Sequence, residues 1–175
     1  METSSLVVAV GDPEAGKDAV GPLILAQMLR QGLPPKVRAH SIGRRADRLP
    51  DLFTRTVAGG VRPSLLILLD AVTSPTEVPG TLVEQPITRV EGVPPGLSSH
   101  DTTLEEAVGL LHLQLGSDAP IRIVLLGVIV GPQADGPMPE AVAGAIPRAA
   151  ARARQLIERP PPEAGDLSRN EPARG

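Results

Sequence analysis

The sequence predicts a three-layer α/β/α domain whose central sheet is mostly parallel, of roughly five strands, with one antiparallel edge strand. Three observations carry that prediction. Apolar runs at residues 6–10 (LVVAV), 65–69 (LLILL) and 121–126 (IRIVLL) show no polar alternation, as expected of strands covered on both faces. Segments of helical make-up separate them. The first run also breaks at Gly11 into a glycine-containing turn that delivers an acidic residue, Asp18, toward a helix, the usual place for a ligand above the carboxyl end of a parallel strand.

Taken in order, Gly21-Pro22 reads as a helix cap and first helical position, since proline loses nothing there and its φ already suits the helix. Residues 23–31 are then a short amphipathic helix, stopped by Gly32 and Pro34-Pro35. Residues 36–42 alternate enough to be a strand with one less protected face, closed by Gly43. A helix follows over residues 46–58. Around it Arg44, Arg45, Arg48, Arg55 and Arg62 outnumber Asp47 and Asp51, which suits either a solvated face or a docking surface for an acidic protein. The run at 65–70 ends in the carboxylate of Asp70.

Residues 73–80 form a loop by their Ser, Pro and Gly content, and 81–90 an edge strand, given Pro86. Pro94-Pro95-Gly96 breaks the chain before Ser98-Ser99-His100. Asp101-Thr102-Thr103 then cap a helix running through Glu105 and Glu106 to about Leu115. After the third buried strand, residues 127–137 read as a loop, and Pro139 precedes a last helix reaching Ile157. Arg148, Arg152 and Arg154 fall in its later turns, where cations complement the helix dipole. Residues 1–158 thus form one domain. Residues 159–175, rich in proline and without apolar periodicity, are expected to be a disordered tail.

Composition removes several function classes. Phe53 is the sole aromatic residue of the 175, so the core is aliphatic and base stacking on single-stranded nucleic acid is not available. A net charge of −3 argues against a polyanionic partner engaged by the whole surface. Without cysteine there is no disulfide, thiol nucleophile or thiolate metal site, and any cation must take carboxylate or imidazole. Neither an export signal nor a membrane span is evident, and a cytoplasmic protein is expected.

Two kinds of chemistry suit the opening turn. Residues 11–18, GDPEAGKD, miss the phosphate-binding G-x-x-x-x-G-K-[ST] pattern by one residue, and Asp70 could stand as the acidic strand end that holds magnesium. The hydroxyl that is missing is the one that ligates the ion. Asp12, Glu14 and Asp18 would also repel phosphates. The other kind is a metal-contacting set of two carboxylates and one imidazole, Asp18, Asp70 and His100, which right-handed crossovers would bring to one end of the sheet. Such a set suits zinc, nickel or ferrous iron with positions left open for a substrate.

Spacing alone favours plainer roles: a turn support for Asp18, a strand-end acceptor for Asp70, a surface histidine for His100. His40 and His112 read as surface or packing residues. Ser98 and Ser99 read as loop residues, because sequence neighbours rarely present a nucleophile to its base. Lys17 could pair with Asp18 or point elsewhere.

Four segments in order resemble the hydrogenase maturation endopeptidases. VGDPEAGKDAVGP is similar to that family's opening turn, LLILLDAV to its apolar strand ending in Asp-Ala, and SSHDTTLEEA to its Ser-Ser-His segment leading into a helix. GVIVGPQADGPMPEAVAGAIPRA is similar to its closing segment. The resemblance spans residues 6–157 and implies an endopeptidase that removes the C-terminal extension of a nickel–iron hydrogenase large-subunit precursor once nickel is in place. Asp18, Asp70 and His100 would contact metal, with the nickel carried by the substrate and a zinc-like divalent ion conceivable at the site. The partner implied is the precursor, with neither nucleic acid nor membrane involved, and the protein acting as a monomer. Asp12 replaces the family's asparagine, Lys17 its first acidic residue, and Ser41-Ile42-Gly43-Arg44 its Asp-Gly-Gly-Thr segment. No direct catalyst of hydrolysis is evident. A non-catalytic precursor-binding or chaperone protein on this fold, and a small P-loop nucleotide hydrolase, are the other readings.

Overall fold

A computed structural model describes residues 4–87, 103–115 and 121–158. Its five-stranded sheet has the order β2-β1-β3-β5-β4, built from β1 (Ser4–Ala9), β2 (Val37–Ser41), β3 (Pro63–Thr73), β4 (Leu82–Pro86) and β5 (Arg122–Gly131). β1 pairs in parallel with β2 and β3, and β3 with β5. β4 runs antiparallel along the β5 edge. Among the described residues four α-helices accompany the sheet: α1 (Val20–Arg30), α2 (Leu49–Ala58), α3 (Leu104–Leu115) and α4 (Glu140–Glu158).

The lack of polar alternation in the three apolar runs has a direct cause. Successive side chains of a strand point to opposite faces, and here both faces are covered. Val7, Ala9, Leu65, Ile67, Leu69, Val124 and Leu126 pack into one core with Ile24 and Met28 of α1 and Ala149 and Ala153 of α4. Leu6, Val8, Leu66, Leu68 and Ile123 pack into a second core with Phe53 of α2 and Val108 and Leu111 of α3. β2 lies at an edge, and of its residues only Val37 is buried. α4 is tied to the opposite edge: Arg152 of α4 donates to Glu84 of β4 through Nε at 2.6 Å and Nη2 at 3.0 Å, and Arg148 Nη2 donates to the Gly80 carbonyl.

Several boundaries differ from expectation. α1 begins at Val20 behind a 3-10 turn at Gly16–Ala19, so Gly21 and Pro22 lie inside the helix rather than at its cap. The reason is proximity. A Cβ on Gly21 would run into the carbonyl oxygens of Val10 and Leu69, so glycine here lets the helix sit against the end of β1 and the backbone of β3 at Leu69. Residues 127–131, expected as loop, extend β5, and β3 runs on past Asp70 to Thr73. The two extensions are one event, because Asp70 pairs with Gly127, Ala71 with Val128 and Val72 with Ile129.

The strand expected over 81–90 is described at Leu82–Pro86, and residues 88–90 lie outside the described residues. Asp101 and Thr102 also lie outside them, but Thr103 does cap α3: Glu106 N–H donates to Thr103 Oγ1 at 3.3 Å while Thr103 N–H donates to Glu106 Oε2 at 2.7 Å. The tail expected over 159–175 lies outside the described residues. No described helix is long and apolar enough to cross a membrane.

Candidate functional site

The chain leaves β1 toward β2 on one side and returns through α2 to β3 on the other, so the strand order reverses between β1 and β3. At such a reversal the two connections diverge and leave a crevice above the carboxyl ends of the strands. Asp18 and Asp70 both lie at that end of the sheet, near enough for the charge of Asp18 to act on Asp70. Asp18 sits in the 3-10 turn that follows β1. β1 pairs with β3 only as far as Ala9 opposite Leu69, so Asp70 is the first β3 residue to rise above β1. It belongs to the even positions of β3, whose members Leu66 and Leu68 face α2 and α3.

The turn carrying Asp18 is strongly cross-braced. Asp18 Oδ2 accepts the Asp12 N–H at 2.8 Å and Arg44 Nε at 2.7 Å. Gly11, at φ 119°, lies against the Asp18 carbonyl with no room for a Cβ, and its N–H donates to the Gly43 carbonyl at 2.9 Å. That bond brings the segment after β2 alongside the turn and places Arg44 on Asp18. Asp18 is about four-fifths buried at its side chain, whereas Arg44 is 64% exposed. The hydrogen bond to Asp18 and its charge hold the guanidinium proton more tightly than usual.

Asp70 is in a different electrical state. Its Oδ1 accepts the Ala71 N–H at 2.8 Å. Burial nevertheless pushes the carboxyl up to about 7, the Ala71 N–H opposes the rise, and the negative charges of Asp18 and Glu105 add to it. At neutral pH Asp70 therefore exchanges a proton readily, and a cation arriving beside it would take that proton's place. The repulsion from Glu105, in the first turn of α3, places that charge near enough to Asp70 to act on it.

The phosphate-loop reading fails on this geometry. Such a loop needs its N–H groups aimed outward at an anion. Here the N–H of Gly11 goes to Gly43, that of Asp12 to Asp18, that of Glu14 to Asp12 Oδ1, that of Ala15 to the Asp12 carbonyl, and that of Lys17 to the Gly136 carbonyl. Pro13 has none. Lys17 Nζ turns away to the Gln133 carbonyl at 3.4 Å, which also answers whether it pairs with Asp18.

Of the three residues expected at the site, the fold brings Asp18 and Asp70 to the same end of the sheet, and His100 lies outside the described residues, as do Ser98 and Ser99. Asp18 Oδ1 and Asp70 Oδ2 accept no hydrogen bond from the described residues, leaving one oxygen of each carboxylate for a cation. Two hard oxygens suit a divalent ion but do not complete its coordination. Among the described residues no group of three or more His, Asp or Glu side chains is placed to hold one. His40 is exposed on β2, and His112 is part-buried on α3.

Arg44 and Glu105 were not legible as site residues. The signal for Arg44 is its place just past Gly43 at the carboxyl end of a strand, although its neighbours in sequence group it with a basic face. That face is largely matched within the chain: Arg44 meets Asp18, Arg45 meets Asp47, and Arg55 meets Asp51.

No family model matches the chain, and no curated protein matches its sequence. Solved structures do match in three dimensions. The NiFe hydrogenase maturation protease HycI from Thermococcus kodakarensis aligns with TM-score 0.65 at 19% identity, over 89% of this chain and 93% of its own. An endopeptidase from Escherichia coli gives 0.64 at 24%, over 89% and 93%. The hydrogenase maturating endopeptidase HybD from Escherichia coli gives 0.60 at 21%, with the same coverage. The likeness extends over nearly the whole of each molecule, and this chain therefore has the fold of those maturation proteases.

Proposed function

We propose that the protein is an endopeptidase that removes the C-terminal extension of a nickel–iron hydrogenase large-subunit precursor, acting in the cytoplasm on a precursor that already carries nickel. The observation that carries the proposal is the convergence of Asp18 and Asp70 at the switch-point end of the sheet in a fold shared with hydrogenase maturation proteases. An incomplete oxygen set is what a substrate-borne cation needs, since it arrives with ligands of its own. The buried Asp70 gives up its proton on contact, and Asp18, held through Oδ2 by the Asp12 N–H, has its carboxylate already placed. Fixing the metal in this way would hold the scissile bond nearby, and the metal could polarise its carbonyl or a water. His100 is proposed as the third contact. In its support, α3 opens only a few residues downstream of it, and Glu105 of its first turn is near enough to Asp70 to act on its charge.

The test is incubation of the purified protein with nickel-loaded precursor, followed by mass spectrometry. Loss of a mass equal to a C-terminal peptide is expected, and Asp18→Asn, Asp70→Asn and His100→Ala should each prevent it. A stable complex with no loss of mass would instead identify a precursor-binding chaperone.

A further inference from the structure

We propose that Arg44 is a built-in counter-cation that sets the affinity of the Asp18–Asp70 pair for divalent ions, so that free ions are held only weakly while a cation delivered on a docked protein displaces it. The inference rests on the cation-contacting reading of that pair. Its own support is geometric. Arg44 Nε lies 2.7 Å from Asp18 Oδ2, and its Nη2 reaches Asp12 Oδ2 at 4.0 Å. The guanidinium therefore stands between the two acidic residues that would otherwise make the opening strongly negative. Its backbone is anchored by the Gly11 N–H to the Gly43 carbonyl and by the Ile42 N–H to the Ala9 carbonyl, so the placement is set by the ends of β1 and β2. The side chain itself stays mostly in solvent. An exposed ion pair is weak and easily exchanged, which makes Arg44 removable by a competitor that brings further contacts.

The charges around the opening are Asp12, Asp18, Asp70 and Glu105 against Arg44, with Lys17 drawn off toward Gln133. Neutralising Arg44 removes both the occupant of Asp18 and the one cation facing a divalent ion there among the described residues. At the few ångströms involved, in a water-like surrounding, this should strengthen binding about tenfold.

Titration of the full-length protein with Ni²⁺ alone, by calorimetry in a non-chelating buffer, tests this in wild type, Arg44→Gln, Arg44→Lys and Asp70→Asn. Expected are about tenfold tighter binding for Arg44→Gln, an affinity within about threefold of wild type for Arg44→Lys, which keeps the charge, and loss of binding for Asp70→Asn. If Asp70→Asn loses binding while Arg44→Gln binds no better than wild type, the inference about Arg44 is overturned and the cation-contacting reading stands. If no protein binds Ni²⁺, or Asp70→Asn binds like wild type, that reading falls and takes the inference with it.

Discussion

Asp70→Asn should stabilise the protein above neutral pH while removing its function. In the native state the Asp70 carboxyl is pushed up to about 7, mainly by burial, against an ordinary value of 3.8. The folded protein therefore binds this proton more tightly than the unfolded chain does. By linkage, stability falls as pH rises between those two values, and the cost is complete above about 7. At about 1.4 kcal/mol for each tenfold change in proton affinity, the full penalty is about 4 kcal/mol; water reaching the crevice reduces it to about 2–4 kcal/mol. Asparagine has nearly the same shape, can still accept the Ala71 N–H, and carries no charge at any pH.

Urea unfolding followed by far-UV circular dichroism measures the difference, a chain without Trp or Tyr having no useful intrinsic fluorescence. The variant should match wild type near pH 4 and exceed it by about 2–4 kcal/mol at pH 8, with unchanged denaturant slope. Other titrating groups are common to both proteins and cancel. An advantage equal at both pH values, or a variant weaker than wild type at pH 8, would refute the assignment of Asp70 as a strained, proton-holding carboxyl. The expected pattern is that of a site residue maintained at the expense of stability.

Three further outcomes follow from the same structure. Gly21→Ala gains about 1 kcal/mol of helix propensity but sets a methyl against the Val10 and Leu69 carbonyls, a clash of about 3 kcal/mol, so the urea midpoint should fall. Thr103→Ala breaks the reciprocal cap of α3 and should cost about 1 kcal/mol, lowering the thermal midpoint by about 3 °C, with a smaller loss for Thr103→Ser. Titration with ATP and Mg²⁺ should give only dilution heat for wild type and Lys17→Ala alike, because the N–H groups of Gly11, Asp12, Glu14, Ala15 and Lys17 are already bonded within the protein; saturable binding lost in Lys17→Ala would restore the nucleotide reading.

The layered fold was readable from periodicity, because a strand covered on both faces must be apolar at odd and even positions alike. Leu65 to Leu69 and their partners in β1 and β5 meet that condition. The ends of elements were less readable. Whether β3 stops at Asp70 depends on β5 continuing beside it, a pairing between residues far apart in the chain. Gly21 looked like a cap because local chemistry allows that role, while its actual role is set by two carbonyls from other strands.

At the candidate site, spacing alone favoured plainer roles, and it was the match of ordered segments to a known family that singled out Asp18 after the glycine turn and Asp70 closing an apolar run. Their electrical states were not legible there. Arg44 lies 26 residues from Asp18 and reaches it only because Gly43 accepts the Gly11 N–H. The proton on Asp70 depends on how much water the surrounding elements exclude and on Glu105 arriving from a third segment. Burial and charge proximity are properties of the assembled molecule, and they separate two aspartates that are the same residue in the sequence.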